Sequence, residues 1–177
     1  MRFPNSIVIF ALAVVVFATL ETSAKKPFGN SPKAVANRFY QACLQNTVNG
    51  LPTEEQMETF APLLSSELID LISAAREKKK KFLLERPKDK PPWDDSSLFC
   101  SNIEGFTSFS LGAPLLNDDK ASVPVYLEYR EGKSIARWVD VLILERRHDE
   151  WRICEIFMNA PWEFRSGLTL SGALSPD

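Results

Sequence analysis

A chain of 177 residues, 45% of them hydrophobic, holds enough apolar material to bury a core, and its 21 basic and 23 acidic residues leave a net charge of only −2. Neither sign dominates, which argues against a nucleic-acid groove and against electrostatic attraction to an anionic membrane. One His and three Cys, without Cys-x-x-Cys or His-x-x-x-His spacing, form no metal signature, and no cofactor motif is present.

The amino terminus reads as an address rather than as fold. Met1 and Arg2 give a positive start, Ile7 to Phe17 is an uncharged apolar run, and Thr22-Ser23-Ala24 offers small residues before Lys25. That is the layout of a secretory signal peptide, residues 1–24, cleaved after Ala24. The run is shorter than the roughly 20 residues a spanning helix needs, so no stable membrane anchor is expected after cleavage. What remains, residues 25–177, is expected to be a single α+β domain with its core at about 31–165, periplasmic or secreted. In such an oxidising compartment Cys43, Cys100 and Cys154 allow one internal bridge and leave one thiol over. The sequence does not choose among the three pairings, and three buried, reduced thiols are equally open.

Ser31-Pro32 predicts a helix start, an N-cap followed by proline at the first helical position. Val35, Phe39 and Ala42, with Ala36, Tyr40 and Cys43 one step round, make an apolar stripe that ends near Asn46, before the Asn49-Gly50 turn. Thr53-Glu54-Glu55-Gln56 matches a capping box and predicts a second helix, which Pro62 ends or kinks. A third helix opens at Ser65 or Ser66, with Leu68, Leu71, Ile72, Ala75 and Phe82 near one face. Lys78 to Lys81 read as its solvated last turns, where cations suit the helix dipole. Glu85 to Ser97, with three prolines, is a crossing loop that Trp93 is expected to pin to the body; Trp93 as a partner hot spot is the alternative.

From there the pattern changes to strands. Ile103 to Leu111 reads as a first strand with Gly105 at a bulge. Ala121, Val123, Val125, Leu127 and Tyr129 alternate with polar partners, and Pro124 requires an edge or a bulge. Trp138 to Leu144 is apolar on both parities except at Asp140, so this strand is expected to be covered on both faces, and Trp151 to Met158 follows a tight turn. The sum is an antiparallel meander from Lys120 to Met158 with three N-terminal helices stacked on it and a tail after it.

Phe39-Tyr40, the Leu63 to Ala75 helix, Lys120 to Val125, Trp138-Val139-Asp140-Val141, Glu150 to Ile153 and Asn159-Ala160-Pro161-Trp162 together give the chain a likeness to secreted bacterial domains of unknown function. In these features it resembles the cone-shaped nuclear transport factor 2-like (SnoaL-like, cystatin-like) superfamily, across roughly Ser31 to Leu174. That resemblance implies three helices and a curved antiparallel sheet around a pocket, in a superfamily of polyketide cyclases, ketosteroid isomerases and non-catalytic domains. Some relatives of this kind look like immunity or inhibitor proteins.

Asp140 is the sharpest candidate for chemistry in such a pocket, because desolvation there would tune it as a general acid or base. If the other parity faces inward, Asp140 is instead a structural acid, paired for example with Arg137 or Arg152. Tyr40 is the one phenol to test beside it; its alternative role is as a core aromatic with a satisfied hydroxyl. Tyr126, Trp138 and Glu155 join Trp93, Tyr40 and Asp140 as candidate ligand- or partner-binding residues, although Tyr126, Glu128, Arg152 and Glu155 also fit the wet face of a sheet. The missing catalytic motifs favour an exported, non-enzymatic binding domain for a protein or small ligand, of inhibitor or immunity type. A small-molecule isomerase or cyclase is the alternative, and the doubly apolar strand leaves a homodimer possible.

Overall fold

The computed structural model describes residues 30–94, 96–161 and 167–175. The expected signal peptide and Trp162 therefore lie outside the described residues.

Helix α1 (Pro32–Gln45) begins where the sequence asks it to: the Ser31 hydroxyl accepts from the Ala34 N–H at 3.2 Å, and Pro32 sits in the first turn. Val35, Ala36, Phe39 and Tyr40 are fully buried along its inner face. Helix α2 (Glu54–Phe60) carries the complete capping box, with Gln56 N–H donating to Thr53 Oγ1 and Thr53 N–H donating to Gln56 Oε1. Pro62 then tightens the chain into a 3-10 turn (Ala61–Leu63). Helix α3 (Ser66–Glu85), capped by Ser65, buries Leu68, Ile72 and Ala75. Its lysine run is not wholly solvated, because Lys79 reaches across to Asp94 at 2.8 Å.

The sheet is antiparallel, in the order β1-β3-β4-β5-β6, with β2 pairing β3 beside β1. Strand β1 is Ser108–Leu111, β2 Leu115–Asn117, β3 Lys120–Glu131, β4 Ser134–Arg147, β5 Glu150–Met158 and β6 Leu168–Thr169. β3 and β4 form the long central hairpin, in register from Lys120 opposite Glu145 to Glu131 opposite Ser134. The β4–β5 turn places His148 and Asp149 at φ 50° and 63°, the left-handed pair that matches the twist of a two-residue hairpin. Helices α1 and α3 cover one face of the curved sheet, where Phe39 meets Tyr40, Phe60 and Phe99 edge-on at 5.1–5.7 Å. The chain is thus α+β, helices on an antiparallel sheet, and among the described residues no helix is long and apolar enough to cross a membrane.

Several expectations need correction. The first strand begins at Ser108, not Ile103: Asn102 accepts the Glu104 N–H on its side chain and the Gly105 N–H on its carbonyl, so a local turn wins over the ladder. The short hairpin strand β2 was not anticipated; its Leu115 and Leu116 point largely into solvent and carry no alternation. The stretch after Met158 is not a tail. β6 adds to β5, and a fourth helix α4 (Leu170–Leu174) buries Leu170 and Leu174 against the core.

Pro124 sits inside β3, yet it breaks no ladder. Its carbonyl accepts from the Gly112 N–H at 2.9 Å, and its nitrogen faces the same side, in the gap where the chain crosses from β1 to β2. The gap does the work expected of an edge.

Candidate functional site

Asp140 lies on the inward parity of β4 with Trp138, Leu142 and Leu144, and it is fully buried. Four donors converge on its two oxygens. Oδ2 accepts from the Ser101 N–H at 2.9 Å and the Trp138 Nε1–H at 3.1 Å, while Oδ1 accepts from the Ser101 hydroxyl in a short bond and from the Asn159 N–H at 3.0 Å. A carboxylate offers about four acceptor positions, and here all are used. The Ser101 oxygen in turn accepts from the Ala160 N–H at 3.2 Å. Asp140 therefore ties together the 97–106 loop, β4 and the end of β5. The expected arginine partners are engaged elsewhere, Arg137 with Glu128 and Arg152 with Glu150, so among the described residues the acid is held by neutral donors.

Tyr40 is buried in the same interior, its ring against Phe106 and Phe109 at 5.4 Å, but its hydroxyl has no hydrogen-bond partner among the described residues. Burial pushes its pKa well up, and the charge of Asp140 adds to that. The expectation of a core tyrosine with a satisfied hydroxyl fails on the second count. The two residues share a neighbourhood in the core: both are fully buried, and neither lines the clefts described below.

The remaining candidates divide between scaffold and surface. Trp138 donates into the Asp140 network. Glu155 accepts from Ser171, through both its N–H and its hydroxyl, and so anchors the first turn of α4. Trp93 pins its loop as expected, donating from Nε1 to the Ala173 carbonyl at 2.7 Å. Tyr126 is different: it stands 51% exposed on the outer face of the sheet.

That outer face is where β4 departs from the sequence expectation. No helix among the described residues covers it, and Val139, Val141 and Ile143 are half-buried rather than covered. Register sets Tyr126 opposite Val139, Pro124 opposite Val141 and Val141 opposite Phe157, which is 44% exposed, so the apolar side chains form adjoining rows. At one end a cleft of about 440 Å³ is walled by Ser108, Ser110, Tyr126, Glu128, Arg137 and Val139. Glu128 accepts from Arg130 at 2.9 Å and Arg137 at 2.8 Å, and these guanidiniums, Arg130 first, hold its carboxyl below the ordinary range. Of these three charged groups, Glu128 and Arg137 line the cleft itself. Among the described residues no group of three or more His, Cys, Asp or Glu is placed to hold a metal ion.

Sequence reasoning missed Ser101, Asn159 and the Glu128 pair. A buried acid in an apolar strand signals that donors must come from somewhere, but three of the four lie on loops, two of them backbone N–H groups that every residue type supplies. The Glu128–Arg137 contact follows from a cross-strand register that the sequence left unassigned.

No family model matches the chain, and no curated protein matches it. Among solved structures it is similar to RPA3114, a SEC-C motif containing protein from Rhodopseudomonas palustris, at 12% identity and a TM-score of 0.43, covering 72% of this chain and 78% of that one. It is also similar to a chain in the type VI native effector–immunity complex Tae3–Tai3 from Ralstonia pickettii, at 18% identity and a TM-score of 0.46, covering 77% and 99%. At these levels neither likeness speaks to function.

Proposed function

We propose that this chain is an exported, non-catalytic binding domain that takes a protein partner on the outer face of its sheet, in the manner of an inhibitor or immunity protein. The observation that carries the reading is the pair of sheet faces. The inner face is buried under the helices, with Asp140 held by four donors, while the outer face presents rows of apolar side chains beside a cleft edged by Arg137. Exposed aromatic and aliphatic residues rimmed by charge mark a protein interface more often than a catalytic centre. The chemistry of the cleft selects its partner: an apolar side chain against Tyr126 and Val139, with a neighbouring carboxylate meeting the exposed side of the Arg137 guanidinium. Export rests on the charged start, apolar run and small residues of positions 1–24, and the helices-then-meander order supports the cone-shaped reading of the fold. The isomerase or cyclase alternative needs a free oxygen of Asp140 facing an open pocket, and four donors occupy both oxygens.

The test uses the mature chain as bait in periplasmic extract from its native host, alongside Val139→Glu, Arg137→Glu and, on the helical side, Leu84→Glu. The expected result is one partner, identified by mass spectrometry, held by wild type and Leu84→Glu and lost by both outer-face variants. A partner retained by Val139→Glu and Arg137→Glu overturns the reading. So does a wild-type chain that sediments as a dimer dissociated by Val139→Glu, which would give this face to a second copy.

A further inference from the structure

Cys43 and Cys100, both thiols in this structure, are neighbours where helix α1 faces the 97–106 loop. Phe39 and Phe99 stack edge-on at 5.1 Å, and Cys43 lies one helical turn after Phe39 while Cys100 immediately follows Phe99. Cys43 lines a cleft of about 430 Å³ together with Ser97 and Phe99, and the Cys100 thiol lies on that same Ser97, 3.3 Å from its hydroxyl. The third cysteine has other neighbours, Glu145, Lys120 and Glu155. Cys154 is the bulged residue of β5, and its sulfur lies against the Ile143 carbonyl in the sheet.

We propose that Cys43 and Cys100 form the single disulfide of this protein and that Cys154 stays a thiol. The cluster supports the pairing independently of which partner the domain binds: burial pushes the Cys43 thiol well up, and Cys100 is the neighbouring group whose charge adds to the effect. The bridge replaces two weak thiol hydrogen bonds of Cys100, to Ser97 and to the Asn102 carbonyl. The chemistry is thiol–disulfide exchange with a small or protein disulfide as oxidant. One thiolate attacks the oxidant and releases one equivalent of its thiol. The second thiolate then attacks the mixed disulfide and releases the other. Two protons and two electrons leave the protein, and the oxidant ends as two thiols. Because buried thiols ionise poorly, the exchange belongs to folding, before the core closes. The bridge braces the loop at the residue next to Ser101, so a covalent link stands beside the Asp140 hydrogen bonds and fixes the same segment to α1.

The mature chain is refolded in a mixture of oxidised and reduced glutathione, blocked with iodoacetamide in denaturant without reduction, and mapped by mass spectrometry. The expected result is one cross-linked peptide pair joining Cys43 to Cys100, an alkylated Cys154 and an intact mass about 2 Da below the fully reduced chain. Reduction is expected to lower the Tm by on the order of 10 °C, since the bridge closes a loop of more than fifty residues. Cys154→Ser retains that reduction-sensitive shift, and Cys43→Ser lacks it. Alkylation of all three cysteines in the wild-type map, or a cross-link that includes Cys154, overturns the proposal, and the map needs no variant to fold.

Discussion

Asp140→Ala separates a structural acid from a catalytic one. The substitution removes both oxygens from a fully buried site and strands the donors that met them. The Ser101 hydroxyl rotates to another acceptor, and the Asn159 N–H is near enough to the surface to find water. The Ser101 N–H and the Trp138 Nε1–H both lose the acceptor they meet inside the core. At about 1–3 kcal/mol for each buried donor left unmade, plus the space vacated by the carboxylate, the loss comes to about 3–5 kcal/mol. A domain of this size holds about 5–15 kcal/mol in total, so the variant gives up a large share of it. Urea unfolding followed by circular dichroism and tryptophan fluorescence measures the difference. Asp140→Asn keeps one acceptor oxygen but turns an NH₂ toward groups that also donate, and its loss falls in the same range or slightly below. An Asp140→Ala variant within about 1 kcal/mol of wild type refutes the hub reading, because removing a catalytic acid from a strained site tends to leave stability unchanged or raised.

Gly50→Ala places a Cβ 2.1 Å from the Trp93 carbonyl oxygen at a φ of +77°; the chain cannot yield without moving the 90s loop, and a loss of about 2–4 kcal/mol is expected by thermal denaturation. Trp93→Phe retains the ring but deletes the bond to Ala173, so it costs about 1 kcal/mol and frees α4, which limited proteolysis reads as earlier cleavage after residue 160. The Cys154 thiol is pushed up to about 11 by burial first and by Glu145 next. Its folded pKa lies above the ordinary value of 9.0, so the stability it contributes is complete below pH 9 and is lost as pH rises toward 11; denaturant midpoints across that window, compared with Cys154→Ser, check the sign.

The helices were legible because their signals are local. Ser31-Pro32, the Thr53/Gln56 box and Ser65 each satisfy a backbone N–H within the next turn, so a few residues of sequence contain both donor and acceptor. The β3–β4–β5 meander was legible because alternation needs no knowledge of the partner strand. What the sequence hid was relational. Whether Asp140 faced in or out depended on which of two apolar parities the helices covered, and Val139, Val141 and Ile143 looked as buried as Trp138 and Leu142. The answer came from helices α1 and α3, distant in sequence. The C-terminal β6 and α4 were missed because their fixings, Glu155 to Ser171 and Trp93 to Ala173, span 16 and 80 residues.

The Asp140 junction also orders events in time. The β3–β4 and β4–β5 hairpins close over short stretches of chain, while Ser101 reaches Asp140 across 39 residues and Ala160 reaches Ser101 across 59. Long closures lose entropy before they return hydrogen bonds, so the hairpins form first and the junction fastens afterward. A contact made after the rate-limiting step leaves folding speed alone and sets the speed of escape: Asp140→Ala is expected to steepen unfolding with little change in the refolding limb of the chevron. Where unfolded chains are lost irreversibly, a slow exit from the native state is the form of stability that keeps a domain in service.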